Sequence, residues 1–190
     1  SIPELISKNN AIPGIKVDKG AKKLANSRDE TITEGLDGLR ERLEEYYKLG
    51  ARFTKWRAVY KITNKFPSVL SIKSNAHALA RYAALVQESK MVPIIEPEVL
   101  MDGDHDIDKC YQVTTDVLNE CYNELELNRV NLKGTVLKPN MIVNGINCKK
   151  KSNSEEIAQK TLICLKKNVP SEVPGIAFLS GGQSEIEASR

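Results

Sequence analysis

Gly134-Thr135-Val136-Leu137-Lys138-Pro139-Asn140-Met141 is the stretch that decides how this chain reads. It is an apolar, strand-like run that ends on a lysine, with a proline directly behind it. A cation at the end of a buried strand costs free energy unless something there uses it. Lys138 is therefore the first residue that needs a reason.

Working outward, the chain holds four more runs of this kind. Ile12–Gly20 and Ala51–Val59 are short and apolar with charges inside them, and Met91–Glu98 is apolar and then acidic. The last is Gly175–Leu179, which leads into Ser180-Gly181-Gly182-Gln183-Ser184. Between them the apolar spacing turns helical. From Thr31, Leu36, Leu39, Leu43 and Tyr47 share a face, with Gly50 as a stop. Pro67-Ser68 opens a helix through Ile72, Ala76, Leu79, Ala83 and Val86. Residues 107–127 form a third amphipathic helix, and Ser152-Asn153-Ser154-Glu155 resembles a capping box for a fourth. Residues 1–11 carry no strong signal, and 20–30 read as loop.

Each strand is followed by a helix, which predicts parallel βα units. With Ile15, Phe53, Val92, Thr135 and Ile176 as marks, the steps are 38, 39, 43 and 41 residues. That near-constant step favours a (β/α) barrel over a doubly wound sheet, and no GxGxxG follows any strand. The predicted fold class is α/β, a (β/α)8 TIM barrel of which residues 1–190 supply about five βα units within a single barrel domain. Five units do not close an eight-stranded barrel. A piece of a longer chain is expected.

Composition narrows the function classes. A net charge of +3 without basic runs interleaved with aromatics argues against nucleic acid. Lys149-Lys150-Lys151 reads as a solvated loop. Cys110, Cys121, Cys148 and Cys164 have no CxxC spacing and no zinc pattern with the two histidines, so reduced thiols are expected. No stretch reads as a signal peptide or is apolar over a membrane-spanning length, so a cytoplasmic setting without membrane contact is expected. Asp102-Gly103-Asp104-His105-Asp106-Ile107-Asp108 invites a calcium check. Counted from Asp102, position six is Ile107 and position twelve Val113, where an EF-hand needs Gly and Glu. No metal is expected there, and His77 reads as a satisfied or surface histidine.

In barrel enzymes the site lies at the C-terminal ends of the strands. Those ends hold Lys16 and Asp18, Lys55 and Arg57, Glu96 and Glu98, Lys138, and then Ser180 and Gly181. Side chains alternate along a strand, so Lys55 and Arg57 share one face, as do Glu96 and Glu98, while Trp56 faces the helices. A free lysine is protonated at neutral pH and a poor nucleophile. Neighbouring cations such as Lys55 and Arg57, with partial burial, would release the amine to attack a ketone and form a Schiff base. Glu96 could move the protons this requires. The glycine-rich turn at 180–184, before a probable helix, suits a phosphate. A buried ion-pair network and a plain tight turn are the purely structural alternatives.

Several runs together carry a resemblance. These are Gly-Ile-Lys-Val-Asp-Lys-Gly (14–20), Glu-Gly-Leu-Asp-Gly-Leu (34–39), Lys-Trp-Arg (55–57) and Val-Pro-Ile-Ile-Glu-Pro-Glu (92–98). Asp-Gly-Asp-His-Asp (102–106), Leu-Lys-Pro-Asn-Met (137–141) and Phe-Leu-Ser-Gly-Gly-Gln-Ser-Glu (178–185) complete the set. In this order they resemble class I fructose-1,6-bisphosphate aldolase. The resemblance implies a homotetrameric TIM barrel that needs no metal or other cofactor, and places this chain at strands three to seven. It implies Lys138 as the Schiff-base lysine, Glu96 as the main acid/base and Lys55 as its assistant at the hydroxyl of the cleaved bond. Lys16 and Arg57 match substrate-contacting positions, Glu98 an active-site carboxylate, and Ser180 and Gly181 a site for one substrate phosphate. The phosphorylated sugar would be cleaved reversibly to dihydroxyacetone phosphate and glyceraldehyde 3-phosphate. Family features from the first strands, the last strand's phosphate-binding arginine and the C-terminal tyrosine tail have no counterpart in these 190 residues. Little or no activity is therefore expected of the isolated chain. Another Schiff-base aldolase and a non-catalytic interaction role are the other readings.

Overall fold

A computed structural model describes residues 1–179 and residue 186. Its centre is a five-stranded parallel sheet of β1 (Gly14–Lys16), β4 (Phe53–Tyr60), β5 (Val92–Val99), β6 (Val136–Leu137) and β7 (Gly175–Ile176), in that order. Successive sheet strands are thus spatial neighbours, as in a barrel wall and unlike a doubly wound sheet, whose order reverses. The helices are α1 (Ile2–Lys8), α2 (Leu39–Lys48), α3 (Val69–Glu88), α4 (Ile107–Leu127) and α5 (Ser154–Asn168). A separate antiparallel hairpin joins β2 (Ala21–Lys23) to β3 (Thr31–Thr33).

β4 sorts its side chains by parity. Thr54, Trp56, Ala58 and Tyr60 are buried, whereas Lys55 and Val59 are partly exposed and Arg57 is exposed on the other face. Trp56 is wholly buried and stacks on Tyr82 of α3, with ring centroids 5.3 Å apart. The Tyr82 hydroxyl donates to the Ile94 carbonyl at 3.1 Å, so the 2.7 Å contact with Thr54 Oγ1 has the threonine as donor. One tyrosine thus ties α3 to two strands. Trp56→Ala removes the largest wholly buried side chain. A stability loss of about 3–5 kcal/mol is expected, read as a lower denaturant midpoint with little change in slope.

α3 and α4 match the spacing closely, because each has its own side-chain cap. Ser68 Oγ accepts from Ser71 N at 3.2 Å, and Asp106 accepts from Lys109 N at 2.8 Å. The other caps need correction. For α5 the cap is Asn153, accepting from Glu156 N at 2.8 Å, one residue beyond the predicted Ser152 and Glu155 pair. α1, absent from the sequence reading, carries a capping box of Ser1 and Glu4 with a proline in its first turn.

Two stretches differ in kind. Residues 31–33 form a strand rather than the start of a helix. Thr31-Ile32-Thr33 is β-branched throughout, and Gly35 and Gly38 take φ of +134° and +64°, which breaks the helix until Leu39. Part of 20–30, read as loop, is the partner strand β2. β6 is also shorter than the eight-residue run expected. Leu132–Gly134 forms a 3-10 turn, and Pro139 has no N–H for a ladder. The backbone of Lys138 still donates to the Ile95 carbonyl at 2.8 Å, which places that lysine one step beyond the strand.

The loop after Lys138 is pinned on two sides. Asn140 is buried, accepts from Val99 N at 3.0 Å and donates to Thr114 Oγ1 at 3.1 Å. Farther on, Gly145 N donates to the His105 carbonyl and Asn147 N to that of Gly103, both at 2.8 Å. A Cβ on Gly145 would stand 2.3 Å from the Gly103 carbonyl oxygen. The oxygen is backbone and the Cβ is fixed directly to backbone, so neither can swing aside. Gly145→Ala should lower stability by about 1–3 kcal/mol, measurable as a drop in Tm.

Candidate active site

The β4–β5 register pairs Lys55 with Ile94, Arg57 with Glu96, and Val59 with Glu98. Paired positions in a parallel ladder point to the same face, so Lys55, Arg57, Glu96 and Glu98 all leave the helix-covered side together. The β1 register adds Lys16 opposite Lys55, with Asp18 two residues on. Lys138 joins from the end of β6, two residues after Val136, which pairs with Ile94. Four cations and three carboxylates therefore meet at one end of one face.

Glu96 is the middle of this group and only 3% exposed. Its Oε1 lies 3.1 Å from Lys138 Nζ and its Oε2 lies 2.9 Å from Lys55 Nζ. Oε2 carries no hydrogen bond among the described residues, so the Lys55 contact is a charge pair without hydrogen-bond geometry. Both lysines keep just over a quarter of their side chains exposed. Beside them, Arg57 Nε pairs with Glu98 Oε2. Hydrogen bonding to Glu98 raises the arginine's pKa above its ordinary value, so the guanidinium stays charged.

This arrangement redirects one expectation. The charge nearest to Lys138 is the Glu96 carboxylate, which stands in contact with both lysines, while Arg57 is engaged by Glu98. Lys138 and Lys55 face a shared anion rather than only each other. A proton leaving the Lys138 amine has an acceptor within 3.1 Å.

Asp18 has a larger part than its place at a strand end suggested. Its side chain is 1% exposed and its Oδ1 accepts from Lys16 Nζ at 2.6 Å and Gly20 N at 3.0 Å. Its Oδ2 accepts from the Arg57 backbone N at 3.2 Å. No local pattern in the sequence reports a bond across that distance in the chain. The companion clamp is Thr33, whose hydroxyl donates to the Arg57 carbonyl at 2.7 Å.

Ser180 and Gly181, the predicted phosphate-binding pair, lie outside the described residues. Among the described residues, no group of three or more His, Cys, Asp or Glu is placed to hold a metal ion. No helix there is long and apolar enough to cross a membrane. Cys110, Cys121 and Cys164 are buried and Cys148 half-buried, all as free thiols. Burial pushes the Cys110 thiol up to about 11 and Cys121 to about 12, so both stay protonated near neutral pH.

Parallel βα units in spatial sequence, with ionisable groups gathered at the strand ends, define the chain as part of a TIM-barrel fold with a charged site at its strand ends. The family model for class I fructose-bisphosphate aldolase, a glycolytic family, matches residues 1–190. A probable fructose-bisphosphate aldolase class 1 of Xanthomonas campestris pv. campestris is 56% identical over 178 residues, covering 94% of this chain and 53% of the relative. The cytosolic fructose-bisphosphate aldolase 5 of Arabidopsis thaliana is 56% identical over 186 residues, or 98% of this chain and 52% of the relative. A solved fructose-bisphosphate aldolase from Plasmodium falciparum, in complex with TRAP and a small-molecule inhibitor, superposes with a TM-score of 0.96 at 48% identity. It is covered over 98% of this chain and 54% of its own. The chain belongs to the class I fructose-bisphosphate aldolase family. It spans about half the length of the curated relatives it matches.

Proposed function

We propose that this protein cleaves fructose 1,6-bisphosphate reversibly to dihydroxyacetone phosphate and glyceraldehyde 3-phosphate through a Schiff base on Lys138. The observation that carries the proposal is the single Glu96 carboxylate in contact with both Lys138 and Lys55. An amine must lose a proton to attack a ketone, and the resulting carbinolamine must lose water. A carboxylate held within reach of that amine can take the first proton and return one to the departing hydroxyl. The protonated imine then draws electrons from the bond to be broken. Lys55, on the other oxygen of Glu96, acts at the hydroxyl of that bond.

The remaining groups bind. Lys16, Arg57 and Glu98 contact the sugar and its phosphates, with Ser180 and Gly181 as the site for one phosphate. Four cations against three carboxylates leave a net positive charge on this face, which suits a doubly phosphorylated substrate. The chemistry is organic and needs no metal. We also propose that residues 1–190 form strands three to seven of one barrel domain in a cytoplasmic homotetramer. In that setting the isolated 190-residue chain has little activity, because the barrel wall and part of the phosphate site come from elsewhere.

The test is a coupled assay for triose phosphate on a panel of phosphorylated and unphosphorylated sugars. It runs alongside borohydride reduction of the protein with dihydroxyacetone phosphate and peptide mapping. Mass added to the Lys138 peptide, with fructose 1,6-bisphosphate as the best substrate, supports the proposal. A preference for a sugar acid or deoxysugar would assign another aldolase reaction, and an adduct on a different lysine would overturn the mechanism.

A further inference from the structure

The β1–β4 ladder stops early, and a side chain takes over where it stops. The backbone pairs Lys16 with Lys55, and Val17 N still donates to the Lys55 carbonyl at 3.0 Å. Beyond that point the Arg57 N–H has no strand carbonyl to meet. It donates instead to Asp18 Oδ2 at 3.2 Å. The other oxygen of the same carboxylate accepts from Lys16 Nζ at 2.6 Å and from Gly20 N at 3.0 Å. A buried carboxylate is costly unless its lone pairs are satisfied by charged or backbone donors, and here three donors of those kinds do so.

The consequence for Lys16 is directional. An ammonium has three N–H groups. One points at Asp18 Oδ1 and a second reaches the Asp18 carbonyl at 3.3 Å, which among the described residues leaves one N–H without a partner on a side chain that is half exposed. A free lysine would sweep its charge through many rotamers, and holding it costs side-chain entropy before any substrate arrives. Resting on the aldolase reading above, we propose that Asp18 is a positioning residue for substrate binding. It presets the one free N–H of Lys16 and fixes the backbone on which Arg57 rides, so that two cations meet an anionic sugar phosphate already aligned. Preset donors raise affinity by removing an ordering cost, so the effect belongs mainly in KM.

The experiment uses Asp18→Asn, Lys16→Met and the double variant in the complete protein. Asn keeps the size and one acceptor but loses the charge that holds the ammonium. For Asp18→Asn, KM for fructose 1,6-bisphosphate should rise about tenfold with kcat within about threefold of wild type. The double variant should lose clearly less than the sum of the two single losses, because Asp18 acts in large part through that lysine. Independently of turnover, reductive methylation of the Lys16 peptide should run at least about threefold faster in Asp18→Asn, since its ammonium is no longer held. If Asp18→Asn does not fold, Asp18→Glu displaces the same charge by one methylene and should raise KM in the same direction. Losses that add in the double variant, or an unchanged methylation rate, overturn the proposal. A wild-type protein that cleaves no fructose 1,6-bisphosphate overturns the proposed function instead, and the methylation comparison still decides for or against Asp18 as the holder of Lys16.

Discussion

Lys138→Met is expected to abolish the borohydride-trapped adduct and to lower turnover by about 10^4-fold or more, since no other group can replace a covalent nucleophile. Methionine is unbranched, flexible and one atom shorter than lysine, and it removes the amine. The fold should tolerate it, because Lys138 keeps over a quarter of its side chain in solvent and its backbone bond to Ile95 does not depend on the side chain. Circular dichroism and Tm close to wild type would show that only chemistry was lost. Trapping that proceeds as well as in wild type would end the Schiff-base assignment to this residue. Adduct formation on Lys55 would do the same and move the nucleophile to the other side of Glu96.

Glu96→Gln carries the second large effect. The amide has the shape of the carboxylate and can still face both ammonium groups, but it cannot accept and return a proton. A positioned acid/base contributes about 10^2–10^4-fold, and a loss of that size is expected in kcat with a smaller change in KM. Trapping should be slowed rather than absent, since the nucleophile remains. Two lysines would also face each other without the anion between them. Both are partly open to water, so screening limits that repulsion. A kcat within threefold of wild type would remove Glu96 from the proton path and leave it as a charge-balancing residue.

The parts legible in the sequence were those that a local pattern determines. β4 read clearly, because burial on one side and charge on the other alternate along its eight residues, and β5 read as an apolar run closed by Glu96 and Glu98. α3 and α4 read nearly to the residue, because long apolar stripes meet a Ser or Asp cap. The β2–β3 hairpin did not, since Ala21-Lys22-Lys23 is fully exposed and shows no apolar side. Its place comes from elsewhere, through Asn75, which accepts from Thr33 N at 3.1 Å and donates to the Thr31 carbonyl at 2.9 Å. α1 had its capping box in plain view, but seven residues give too few turns for a periodicity to register. In the site, Lys138, Glu96, Lys55 and Arg57 stood out as charges inside apolar runs. Their pairing did not, because which oxygen of Glu96 meets which lysine follows from the register of β4, β5 and β6. Asp18 was visible only as one more charge after a strand, and its importance lies in a bond to the amide of Arg57 that no spacing rule announces.

The parity of β4 sets a limit on how this protein can change. Lys55 and Arg57 sit on the reactive face only because Thr54, Trp56 and Ala58 sit against the helices. Inserting or deleting a single residue inside β4, between Thr54 and Lys55, would reverse every position after it, turning the indole outward and two cations into the oil. Evolution can therefore retune this wall one substitution at a time at odd positions, but it has no neutral path through length variation. Loops after the strands, where a residue more or less shifts no parity, are where new specificity can be tried.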